Sequence, residues 1–136
     1  MSIVVGYVPT PEGRAALEAA AAEAALRGVS LTVVRTQSRG HEFGPEEGER
    51  FDSDLAEALQ TLGDHELAHE VRAPVGSADP SENLIAVAEE VQAPLIVIGL
   101  RRRSKVGKLF LGSHAQRVLL DASCPVLAVK ARESAW

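Results

Sequence analysis

With one cysteine, Cys124, this 136-residue chain cannot close a disulfide within itself, and no secreted, disulfide-stapled framework is indicated. It also lacks any run near the ~20 apolar residues that a membrane-spanning helix requires. The opening apolar stretch, Met1 to Val8, breaks at Pro9 and has neither the basic leader nor the cleavage site of a signal peptide. A surplus of positive charge is missing too: the net charge is −5, which argues against general affinity for nucleic acid. Internal repeats and low-complexity tracts are absent. The expectation is a cytoplasmic protein with no membrane and no nucleic-acid partner. What is present is core-forming material, 46% hydrophobic residues in a length that suits one domain of roughly 100–200 residues. Its one basic cluster, Arg101-Arg102-Arg103 with Lys105 and Lys108, is local and needs a local explanation.

The order of elements follows from periodicity and punctuation. Ile3 to Val8 is a continuous apolar run, as in parallel strands covered on both faces. Thr10 then offers a helix cap with Pro11 at the first helical position, and Gly28 ends that helix. Its Ala-rich face, Leu17, Ala20, Ala21 and Ala24, predicts close packing on a sheet. Leu31 to Val34 is a second strand, and Gln37 to Gly48, with Pro45 and several charges, reads as a surface loop. Phe51, Leu55, Leu59 and Leu62 mark a second helix that stops at Gly63. A weaker strand spans about Glu66 to Val71. Asp79 caps a third helix, with Pro80 in its first turn, Glu82 placed for a capping box, and Leu84, Ala88 and Val91 as its buried stripe. Leu95 to Ile98 is the strongest strand, and a basic loop follows it. Ala115, Val118 and Leu119 predict a fourth helix, and Val126 to Val129 a fifth strand.

Strict alternation of strand and helix predicts a single three-layer α/β/α domain over residues 1–130, with Ala131 to Trp136 as a tail. Its core is a five-stranded parallel sheet with helices on both faces, in the common order 3-2-1-4-5. Ligands in such sheets bind beyond the carboxyl ends of the strands where the order reverses, here between strands one and four. Two segments leave the sheet there, Tyr7 to Pro11 and Gly99 to Ser113. The second ends in Gly112-Ser113 at a helix start, where backbone N–H groups and a hydroxyl suit phosphate oxygens. The competing reading is a solvated basic loop, with Gly112 and Ser113 doing no more than capping a helix.

Val97-Ile98-Gly99, Gly112-Ser113, Arg117-Val118-Leu119 and Cys124-Pro125-Val126-Leu127-Ala128-Val129 together resemble the C-terminal half of universal stress proteins. The likeness is strong from Leu95 to Val129 and weak between Gln37 and Val75. Many members of that family bind ATP through a glycine, two residues, a glycine, nine residues, then a glycine and a Ser or Thr. Gly99, Gly112 and Ser113 match that pattern, whereas Arg102 occupies the middle glycine position. If that position needs positive φ, a side chain there costs roughly 1–2 kcal/mol, although a guanidinium can bind phosphate directly. Val8 stands where ATP-binding relatives usually carry an Asp, and losing that hydrogen bond costs about 1.5–3 kcal/mol. Thr36 matches a residue whose backbone contacts adenine.

The nucleotide-binding set that the resemblance implies is therefore Val8, Thr36, Gly99, Arg102, Gly112 and Ser113, with His114 beside them. It further implies a stress-response homodimer formed through the last strand. The ligand is ATP or a related adenine nucleotide, with Mg²⁺ as its companion and at most slow ATP hydrolysis. The alternative is a scaffold of the same fold that has lost nucleotide binding, favoured by Arg102 and Val8.

Other signals point to different chemistry. His65-Glu66-Leu67-Ala68-His69 spells a zinc-hydrolase motif, with Glu89 as a third ligand. That chemistry needs a helix, in which residues four apart lie about 6 Å apart along the axis. Gly63 and Pro74 leave little room for one, and on a strand the two His would stand roughly 13 Å apart. Ser113-His114 suggests a nucleophile with its base, but neighbours on a helix point about 100° apart. A phosphate-loop enzyme would need amide donors after strand one, where Pro9 and Pro11 remove them. No catalytic residue and no metal ligand is assigned, and Cys124 is expected to be an inert core thiol.

Overall fold

β1 (Ser2–Tyr7) lies at the centre of the sheet, with β2 (Ser30–Arg35) on one side and β4 (Ile96–Arg103) on the other, both parallel to it. The computed structural model describes residues 1–35, 44–61, 66–73, 79–103 and 108–131, with 101–103 and 108–110 described by their backbone. β3 (His69–Arg72) extends the sheet beyond β2, and β6 (Val126–Lys130) extends it beyond β4, again in parallel. The parallel sheet thus runs β3-β2-β1-β4-β6, which is the expected 3-2-1-4-5 order of five strands.

The alternation of side chains along β1 and β4 sorts the helices into two layers. Ile3, Val5, Tyr7, Leu95 and Val97 face α1 (Pro11–Arg27) and α2 (Pro45–Gln60). Val4, Ile96 and Ile98 face α3 (Pro80–Glu90) and α4 (Ser113–Asp121) through Leu84, Val87, Ala88 and Val118. On α1 the buried face is Ala16, Leu17, Ala20, Ala21 and Ala24, small enough for the helix to lie close on the sheet. Full burial of Leu17 alone contributes about 1.5–3 kcal/mol.

The caps act as expected in α1 and α3. Thr10 Oγ1 accepts from the Gly13 N–H at 3.1 Å, and Gly28 ends α1 at φ 67°, where a side chain would be strained. The Asp79 carboxylate accepts from the Ser81 N–H at 2.9 Å. Glu82, expected to complete a capping box, instead has its carboxylate 3.5 Å from Arg117 Nη1.

Four local expectations need correction. α2 starts at Pro45, inside the stretch read as a loop, because Pro45 suits a first helical position and Glu47 accepts from the Gly44 N–H at 3.4 Å. Its buried face is Phe51, Asp54 and Ala58, with Leu55 partly buried, and Leu62 lies outside the described residues. β3 starts later than Glu66, where the Leu31 N–H reaches the Ala68 carbonyl at 2.9 Å and the ladder begins. The segment after Ile98 is not a loop. β4 runs on to Arg103 and pairs antiparallel with β5 (Lys108–Phe110), so a hairpin projects beyond the parallel sheet. Pairing lets this charged stretch satisfy its backbone while keeping strand geometry.

Candidate functional site

β1 and β4 part company at their carboxyl ends. Their last paired residues are Val5 and Val97, after which β1 stays with β2 to Tyr7–Arg35 and β4 stays with β6 to Leu100–Lys130. This is the reversal point expected from the strand order. The Val8-Pro9-Thr10 turn lies beyond β1, with the Thr10 N–H donating to the Val8 carbonyl at 2.8 Å. The first turn of α1 then settles against the end of β4. A Cβ on Gly99 would stand 2.4 Å from the Glu12 carbonyl oxygen, and one on Gly13 would stand 1.8 Å from that of Val8. Gly99 therefore has a packing reason to be glycine, independent of any ligand.

Arg102 lies on the hairpin arm opposite Leu109, in strand backbone, so the strain considered for a side chain at that position does not arise. Among the described residues, Gln92 is the one non-glycine at positive φ. Gly112 is the cap residue of α4, at φ −65°, and its carbonyl accepts from the Gln116 N–H at 2.9 Å. Having no side chain, Gly112 supplies no side-chain cap, and among the described residues the N–H groups of Ser113, His114 and Ala115 stay open, as the first donors of a helix are. Ser113 is exposed at the first helical position. Thr36 lies outside the described residues.

His114 does not turn toward Ser113. Its Nδ1 is 3.2 Å from Asp79 Oδ1, and Arg117 Nη1 donates to Asp79 Oδ2 at 3.0 Å. Asp79 also receives the Ser81 hydroxyl at 2.6 Å. Hydrogen bonds from the Ser81 side chain and backbone, aided by His114 and Arg117, hold the Asp79 carboxyl down to about 2. One carboxylate thus ties the first turn of α4 to the amino end of α3. Sequence reasoning saw Asp79 as a cap and missed this second role. The available signal was the spacing of His114 and Arg117, which share one helix face.

A buried polar contact lies on the α1 and α2 side of the sheet. The Tyr7 hydroxyl donates to Asp54 Oδ2 at 2.7 Å, and the Tyr7 ring meets Phe51 edge-on at 4.9 Å. Burial, with the Asp54 hydrogen bond and charge, pushes the Tyr7 phenol well above its ordinary range. Cys124 is half-buried against the α3 and α4 side, and burial pushes its thiol up, away from the reactive thiolate. His69 opens β3, so the helix that the zinc motif requires is not formed at its second histidine; His65 lies outside the described residues. No helix among the described residues is long and apolar enough to cross a membrane.

The fold and its strand-end crevice define a doubly wound α/β domain of the kind that takes ligands at a topological switch point. Residues 1–130 match the universal stress protein family, and the chain belongs to that family. A universal stress protein of Mycolicibacterium smegmatis is 41% identical over 94% of this chain and 96% of its own length. The universal stress protein from Archaeoglobus fulgidus in complex with dAMP superposes with a TM-score of 0.69, at 30% identity, over 96% of this chain and 98% of that one. A universal stress protein in complex with cAMP superposes with a TM-score of 0.69, at 25% identity, over 97% of this chain and 98% of that one.

Proposed function

We propose that this chain is a cytoplasmic stress-response protein that binds an adenine nucleotide at the carboxyl end of its sheet, between the Val8–Thr10 turn and the start of α4. The observation that carries the reading is the amino terminus of α4, where a glycine cap leaves three amides open beside an exposed Ser113 hydroxyl. Related proteins in complex with dAMP and cAMP support an adenine nucleotide as the ligand class. In this reading Ser113, His114 and Ala115 offer the phosphate-binding amides behind the Gly112 cap, and the role of Arg102 is the one the family resemblance implies. Val8 borders the base, Thr36 keeps the base-contacting role that the resemblance implies, and Gly99 keeps the strand end closed against α1. Mg²⁺ enters only as the companion of a polyphosphate ligand, and no catalytic residue is assigned. The assembly is a homodimer formed through β6.

Isothermal titration with AMP, cAMP and ATP tests the binding. Ser113→Ala should lose about 10–100-fold in affinity, the value of one hydrogen bond to a charged group. Absence of heat with all three at millimolar ligand would remove the reading. That result would favour a scaffold of the same fold, the alternative supported by Val8 standing where a carboxylate would otherwise help hold the base.

A further inference from the structure

We infer that Asp79 is a specificity-determining residue that lowers the affinity of the proposed site for triphosphates relative to nucleotides of low charge. The inference rests on the nucleotide reading above and adds which nucleotides the site accepts.

The Asp79 charge is held in one place. As the cap of α3, Asp79 cannot move away without giving up the Ser81 N–H at 2.9 Å and the Ser81 hydroxyl at 2.6 Å. From that fixed position its Oδ1 stands 3.2 Å from the imidazole of His114, the residue directly after Ser113. A negative charge is therefore pinned beside the amides proposed to receive phosphate. A second carboxylate, Glu82, follows in the same turn of α3.

Two basic side chains of α4 are already engaged. Arg117 spans Asp79 at 3.0 Å, Glu82 at 3.5 Å and Asp121 at 3.9 Å, and His114 is turned to Asp79. The start of α4 thus offers its amides and Ser113 to an anion, while its side-chain charges are committed to α3. Amide donors at a helix start suffice for one phosphate group. Each further phosphoryl charge, whatever partners it meets, is repelled by Asp79. At separations near one Debye length that repulsion amounts to about threefold in affinity per unit of ligand charge. AMP and ATP differ by about two such units, so the discrimination is on the order of tenfold.

Asp79→Asn separates the charge from the fold, because Asn caps a helix as well as Asp. Far-UV circular dichroism and urea denaturation establish that the variant is folded. Titration of wild type and Asp79→Asn with AMP, cAMP and ATP at ~50 mM salt then gives the ratio of ATP to AMP affinity for each. The ratio should rise about tenfold in the variant, with AMP itself gaining on the order of tenfold and ATP correspondingly more, and the gains should shrink at ~0.5 M salt. An unchanged ratio in a variant that still binds AMP would overturn the role of Asp79 and leave the nucleotide reading standing. No binding of any nucleotide by the wild type would overturn both.

Discussion

At the scale of single residues, two glycines decide how the strand-end crevice is built. Gly13 and Gly99 let the first turn of α1 lie directly on backbone, one against Val8 and the other against Glu12. Neither clash is with a side chain that could swing aside, so Gly13→Ala and Gly99→Ala must move main chain. Overpacking of that kind costs about 1–3 kcal/mol, and Gly13→Ala, with its Cβ 1.8 Å from an oxygen, should fall at or beyond the upper end. Gly48, inside α2, is the control, since a methyl group added there would meet nothing within 4 Å. Gly48→Ala should stabilise by about 0.5–1 kcal/mol. Urea midpoints of the three variants check this, and equal midpoints would remove the packing account of Gly99. Asp79 carries a prediction of its own. Its folded carboxyl is held near 2 against an ordinary 3.8, so the stability it adds is complete above pH ~4 and is lost as pH falls toward 2. Asp79→Asn should flatten stability across that acid window, and Asp79→Ala should cost about 0.5–2 kcal/mol at neutral pH through the lost cap. Urea denaturation at stepped pH reads both effects.

At the scale of elements, what could be read in advance was local. Thr10-Pro11 and Asp79-Pro80 announce α1 and α3 because cap, proline and first turn sit within a few residues of one another. The start of α2 was hidden because glycine and proline mark both loops and helix starts, and only the helix that follows Pro45 decides between them. The β4–β5 hairpin was hidden because a run of arginines looks solvated whether or not its backbone is paired. The Tyr7–Asp54 contact was beyond reach, since it joins β1 to α2 across 47 residues and places an aspartate on a buried helix face. That contact can be tested. Tyr7→Phe withdraws a donor from the buried Asp54 carboxylate and should cost about 1–3 kcal/mol. Because the folded phenol titrates above its ordinary 10, the stability it adds is present in full below pH ~10 and declines as pH rises further. Wild type should therefore weaken in urea as pH rises from ~9 to ~11, and Tyr7→Phe should weaken less. Parallel curves for the two proteins would show that ionisation of Tyr7 is not opposed by the fold.

At the scale of the whole molecule, strand order was legible because each strand is followed by a helix, and right-handed crossovers leave few ways to arrange such units. The nature of the two sheet edges is legible in the same way. β3, at one end, reads His-Glu-Val-Arg, and Arg72 is ion-paired with Glu70 and Glu90, so an approaching strand would meet charge. β6, at the other end, reads Val-Leu-Ala-Val-Lys and leaves Leu127 37% exposed. On the adjoining α4, Leu119 and Leu120 are exposed at 40% and 82%. One edge presents charge to a second sheet, while the other offers apolar side chains and, among the described residues, a backbone paired on one side only. This asymmetry supports pairing of two copies through β6 and disfavours pairing through β3. Leu127→Glu places a charge on the apolar edge while leaving the parallel ladder to β4 intact, because that ladder is made by backbone. Sedimentation velocity at tens of micromolar should then show a dimer for the wild type and a monomer for Leu127→Glu, with unchanged far-UV circular dichroism. Glu70→Lys, which reverses a charge on the opposite edge, should leave a dimer formed through β6 untouched. A wild type that sediments as a monomer would remove the β6 interface, and a dimer broken by Glu70→Lys would move it to the opposite edge.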